Sequence, residues 1–152
     1  VLLIVAVISS VVVPGIAYRK VGSTEVFENR LKGAVGRTFD LAHPAEVCAD
    51  FKNNAVEVKG EVVELPKGYA LRNMVMPGRL VSGQFSSRFC TSVKHPTVIG
   101  FVATAGGRYY TALMMIPSGE VLTAYLEESL AETFKDKVLK GRLSEWFSLH
   151  SY

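Results

Sequence analysis

Residues 97–124 read TVIGFVATAGGRYYTALMMIPSGEVLTA, and this stretch decides what kind of fold the chain adopts. Thr97 to Ala105 and Arg108 to Ile116 are rich in β-branched and aromatic residues, which fit a pleated, half-buried surface. Between them lies Gly106-Gly107, a two-residue loop suited to the positive φ angles of a tight hairpin. Pro117-Ser118-Gly119 then turns the chain into a third run, Glu120 to Ala124. The prediction is an antiparallel meander of three strands.

Moving toward the N-terminus, the period of two persists. Val81, Phe85, Phe89 and Val93 share one face, opposite Ser82, Gln84, Arg88 and Ser92, which reads as one long half-buried strand. Tyr69, Leu71, Asn73 and Val75 share a face of another strand, ended by Pro77-Gly78. Val56 and Val58 are separated from Val62, Val63 and Leu65 by Lys59-Gly60, giving either one bulged strand or a tight hairpin. Residues 45–51 read as a single helical turn. Further upstream, Phe27, Leu31, Ala34 and Val35 recur on one helical face, with Ser23 as the cap and Gly33 and Gly36 weakening and ending the helix. Toward the C-terminus, Leu126, Leu130, Phe134 and Val138 fall at four-residue spacing. Glu127 and Glu128 lie early and Lys135, Lys137 and Lys140 late, matching the macrodipole of an amphipathic helix capped by Gly141. Leu143, Trp146, Phe147 and Leu149 then make an apolar tail, folded back or docked on a partner.

The first residues, VLLIVAVISSVVVPGIAY (Val1 to Tyr18), carry no charge and end against Arg19 and Lys20. As a helix they would cover about 27 Å, close to the hydrocarbon thickness of a bilayer. The expectation is a transmembrane anchor over residues 1–18, with a signal peptide or a buried core helix as alternatives. Pro14-Gly15 marks a kink or the end of the span. Tyr18, Arg19 and Lys20 supply an interfacial anchor. Ser9 and Ser10 offer a small surface for packing against other transmembrane helices. Residues 19–152 remain as a single soluble domain. The fold class expected is therefore α+β: a single-pass N-terminal transmembrane helix, then a small antiparallel sheet with a short helix and a C-terminal amphipathic helix.

The residues that carry chemistry are sparse. A net charge of +3 gives no support to nucleic-acid binding, which shows a basic stripe. His43 and His95 each precede a proline, and with His150 they form no metal-ligand spacing. Glu127 and Glu128 are adjacent on a helix and point in different directions. Gly106-Gly107-Arg108 lacks the rest of a phosphate loop, and Val81-Ser82-Gly83 is no nucleophile elbow. No catalytic, cofactor or metal site is expected, and the chain is not expected to be an enzyme. Cys48 and Cys90 form either a disulfide, in an oxidising space, or two buried free thiols.

Two layouts are similar, neither through a specific motif. An apolar start, a short helix, an antiparallel sheet and a C-terminal tail resemble the small inner-membrane assembly factors of mitochondrial cytochrome oxidase and related import-translocase subunits. Residues Val98 to Ala124 carry most of that likeness. The type IV pilin layout is also similar, but pilins carry a glutamate near the mature N-terminus, where this chain has Val5. The apolar anchor together with the lack of a catalytic constellation points to a single-pass protein of an energy-transducing membrane, such as the mitochondrial inner membrane. Its expected function is that of a non-catalytic accessory or assembly subunit, whose partners are other membrane protein subunits and the lipid bilayer. A pilin-like filament subunit and a membrane-tethered enzyme of unknown reaction are the alternatives.

Overall fold

The computed structural model describes residues 10–13, 16–19, 22–38, 44–93, 97–116 and 120–142. They build two antiparallel sheets and two helices. Strands β1 (Ser10–Val13) and β2 (Ile16–Arg19) come first, then helix α1 (Gly22–Thr38). Strands β3 (Ala45–Asp50), β4 (Ala55–Val58), β5 (Glu61–Glu64), β6 (Ala70–Met76), β7 (Arg79–Ser82) and β8 (Arg88–Val93) follow. The meander β9 (Thr97–Ala105), β10 (Arg108–Ile116) and β11 (Val121–Leu126) leads into helix α2 (Glu128–Leu139). One sheet has seven strands in the order β1-β2-β11-β10-β9-β6-β7, and the other has four in the order β5-β4-β3-β8.

The fold is thus mostly β, with two antiparallel sheets where one small sheet was expected, which corrects the α+β fold class; the N-terminus shows it most plainly. Ser10 pairs with Arg19 and Val13 with Ile16, and β2 continues onto β11 through Tyr125↔Ala17 and Leu126↔Ile16. Pro14 and Gly15, read from sequence as a kink or the end of a helical span, lie outside the described residues, but the strands on either side of them are not helical. A run of Val and Ile without charge suits a strand as well as a lipid-facing helix, and sheet pairing satisfies its backbone groups. Among the described residues no helix is long and apolar enough to cross a membrane, so the single-pass membrane location is not supported. Residues 1–9 and the tail from 143 onward lie outside the described residues.

The central strands of the seven-stranded sheet are buried on both faces. One face carries Ile99, Phe101, Ala103, Tyr110, Ala112 and Met114, packed against Val47, Ala49, Val56 and Val58 of the smaller sheet and Phe27, Leu31 and Val35 of α1. The other face carries Val102, Leu113 and Ala124, packed under Ala131, Phe134 and Val138 of α2. This two-sided burial explains the near-continuous apolar runs of the meander. Gly100 makes room for α2: a Cβ there would meet the Phe134 ring at 3.0 Å.

Local chemistry explains most boundaries. Lys59 and Gly60 have φ of 50° and 86°, which makes their loop a tight hairpin. Residues 45–51 are not a helical turn, because Val47 and Ala49 face the core and alternate with Glu46 and Cys48. Residues 81–93 are two strands rather than one, because the chain leaves the larger sheet after Ser82 and joins the smaller one at Arg88.

Candidate functional site

Among the described residues, the crossing between the sheets and the outer face of the smaller sheet beside it bring together an exposed ring, a disulfide and an ion pair. At residues 83–87 the loop is braced from below. Backbone amides of Phe51 and Lys52 both donate to Ser87 O, at 2.9 and 3.1 Å. Gly83 N donates to Arg72 O at 2.9 Å, and Phe85 N donates to Ser82 O at 3.1 Å. Gly83 lies so close to the Phe51 ring that a Cβ would sit 2.8 Å from Cδ1. The supporting turn is itself fixed by Asp50, whose carboxylate accepts from Asn53 N at 3.0 Å and Asn53 Nδ2 at 2.9 Å. The Asn53 side-chain bond holds the Asp50 carboxyl below the usual carboxylate range, against the opposing effect of burial. On this platform Phe85 is 84% exposed, the most exposed of the large hydrophobic side chains among the described residues. An open recess of about 430 Å³ lies elsewhere, between Asn29, Arg30 and Gly33 of α1 and Glu61 and Val62 of β5. Beside Phe85 the recess is about 420 Å³ and includes Lys52 and Gln84.

The outer face of the smaller sheet begins where this loop ends. In β3 the core takes Val47 and Ala49, so Glu46, Cys48 and Asp50 turn outward. Cys48 stands opposite Cys90 of β8 and Glu57 of β4, and Asp50 stands opposite Arg88. Cys48 and Cys90 are joined by a disulfide, with Cα atoms 4.0 Å apart. The Arg88 guanidinium lies across it. Its Nε donates to Glu57 Oε2 at 3.0 Å, and its Nη2 donates to Glu57 Oε1 at 3.1 Å and to Cys48 Sγ at 3.5 Å. The hydrogen bonds and charge of Glu57 push the Arg88 guanidinium further above its ordinary range, so it is a permanent cation here.

Glu46, Cys48 and Cys90 bring one carboxylate oxygen and two sulfurs within 4.8 Å of one another. A thiophilic metal needs thiolates, and bridged sulfurs supply none, so the oxidised site is not a metal donor set.

A second polar group is internal. Glu28 of α1 is 2% exposed, and its Oε2 accepts from Thr123 Oγ1 at 3.1 Å. Tyr69 and Tyr125 share a hydroxyl hydrogen bond of 2.8 Å, and Tyr110 packs between their rings and Phe27. Burial drives the Tyr110 hydroxyl well above the ordinary tyrosine range, and the Glu28 charge adds to that effect. Burial, then the bond to Tyr125, does the same at Tyr69. This group ties α1 to the sheet across the core.

Of the residues singled out from sequence, Cys48 and Cys90 come together in one bridge. Ser10 opens β1, whereas Ser9, His43, His95 and His150 lie outside the described residues. Glu127 precedes α2 and Glu128 begins it. Sequence reasoning missed Phe85, Arg88, Glu57 and Glu46. The turn-rich run Gly83-Gln84-Phe85-Ser86-Ser87 was the available signal for Phe85. Comparison with protein-family models, curated proteins and solved structures finds no match.

Proposed function

We propose that this chain is a non-catalytic accessory or assembly subunit that docks on a partner protein through residues 83–87. The observation that carries this reading is Phe85, 84% exposed on a loop whose backbone is pinned at Phe51, Lys52 and Gly83. A pinned loop loses little conformational entropy on binding, so most of the ring's burial appears as affinity. Aromatic anchors of this kind are the residues that dominate interface energetics. Lys52 beside the ring favours a partner with an apolar pocket edged by carboxylates.

The test uses native assemblies from cells that make the protein. Wild-type chain is expected in a complex of fixed mass, and Phe85→Ser is expected to run as the free chain with an unchanged denaturation midpoint. Recovery of wild type as a lone monomer, or of Phe85→Ser in the complex at normal yield, would overturn the reading.

A further inference from the structure

The two sulfurs of the Cys48–Cys90 bridge sit in different surroundings. Cys48 is 2% exposed and accepts a hydrogen bond from Arg88 Nη2 at 3.5 Å. Cys90 is only partly buried, and among the described residues none donates a hydrogen bond to its sulfur. The bridge lies on the outer face of the smaller sheet, among Glu46, Asp50, Glu57 and Arg88, with Cys48 covered and Cys90 partly exposed.

Thiol–disulfide exchange depends on which sulfur an incoming thiolate reaches and on how well the other sulfur leaves. Here access and leaving-group stabilisation select the same direction. We propose that this bridge is a thiol-exchange site, which accepts a small thiol on Cys90 and releases Cys48 as a thiolate against Arg88. The incoming thiolate attacks Cys90 Sγ and forms the new S–S bond. The Cys48–Cys90 bond breaks, and its electron pair leaves on Cys48 Sγ. One thiolate enters and one is produced, so no proton or further oxidant is needed. The new thiolate lies where the guanidinium already points, which is the charge pairing that stabilises reactive thiolates. The reverse attack by Cys48 expels the small thiol and restores the bridge.

The same face sets the class of thiol. Three carboxylates, Glu46, Asp50 and Glu57, face one guanidinium on these strands, and Arg88 is already paired with Glu57. The Glu46 carboxylate is the one gathered with both sulfurs. A thiol carrying an amine is therefore favoured over one carrying a carboxylate.

Purified oxidised chain is incubated with cysteamine or with thioglycolate, quenched with iodoacetamide and mapped by peptide mass. The expected product carries cysteamine on Cys90 and the alkyl label on Cys48, in about tenfold excess over the reverse pattern. Per unit of thiolate, cysteamine is expected to outpace thioglycolate, and Glu46→Gln to narrow that gap. Arg88→Gln is expected to slow adduct formation about fivefold. Glu57→Gln breaks the same ion pair but keeps the guanidinium, and is expected to leave the rate undiminished. Arg88→Lys, which keeps a cation, is expected to restore part of the rate. Equal labelling of the two sulfurs, an adduct mainly on Cys48, or no adduct under native conditions would overturn the proposal. Equal slowing by Arg88→Gln and Glu57→Gln would also overturn it, because the guanidinium would then be only a strut.

Discussion

Thr123 and Glu28 are 95 residues apart in sequence and meet as hydroxyl and carboxylate in the core. Lys32 sits 3.7 Å from the other oxygen, one turn along α1. Thr123→Val keeps the shape and removes the donor, so the buried carboxylate loses one of its hydrogen bonds. The expected cost is about 1.5–3 kcal/mol, the range for hydrogen bonds to charged groups, read as a lower urea midpoint at unchanged slope. The tyrosines give a pH signature. Tyr69 and Tyr110 are held above the ordinary range, so folding favours their neutral forms. Their contribution is complete below about pH 10, where unfolded tyrosine is also neutral, and is lost as pH rises through their folded titration. Phenolate absorbance should therefore show a late class of tyrosines that ionises only with loss of structure, and Tyr110→Phe should remove one member of that class. Titration of every tyrosine near its ordinary value in folded protein would contradict this. None of this group was legible in the sequence. Glu28 lies in the N-terminal half of α1, where the macrodipole alone would account for a carboxylate, and the tertiary packing of α1 on β11 turns it inward.

At the scale of elements, turns were legible and faces were less so. The Gly106-Gly107 hairpin, the Lys59-Gly60 hairpin and the stop at Gly141 all rest on positive φ angles that few residues accept. Helix α1 runs past the end that the low helix propensity of its glycines predicts. The helix continues through Gly33 and Gly36 to Thr38, held by burial of Phe27, Leu31, Ala34 and Val35. Gly36 is helical and exposed, with nothing within 4 Å of a built Cβ. Gly36→Ala is therefore expected to stabilise the chain by about 0.5–1 kcal/mol, measured as a higher denaturation midpoint. Gly100 is the opposite case. It faces the Phe134 ring at the α2 interface, so Gly100→Ala overpacks that layer and is expected to cost about 1–3 kcal/mol. The long alternation from Val81 to Val93 survived a change of sheet, which is why two strands looked like one. The N-terminal run misled in another way. Its length and lack of charge fit a bilayer, but β-branched residues around a Pro-Gly pair fit a hairpin equally well, and only long-range pairing with β11 separates the two.

At the scale of the whole molecule, strands β7 and β8 each form one edge of their sheet, and residues 83–87 connect them. Among the described residues strand β8 pairs only with β3, and the Cys48–Cys90 bridge staples it covalently to that strand. The bridged residues are 42 apart, and closing a loop of that size removes unfolded-state entropy equivalent to about 4 kcal/mol. Reduction should therefore lower global stability by roughly that amount, seen as a shift in urea midpoint with and without reductant. A local effect should come first. An edge strand relieved of its staple opens at lower free energy than central strands buried on both faces. Arg88, drawn toward a Cys48 thiolate, also stands at the junction with the loop that carries Phe85. Hydrogen exchange on the reduced chain is thus expected to expose amides of residues 83–93 well before those of β9 and β10. Loss of protection in β8 and β10 at the same rate would mean that the bridge stabilises the molecule only as a whole. If β8 opens first, the thiol state of one sheet face governs the order of the loop on which docking depends.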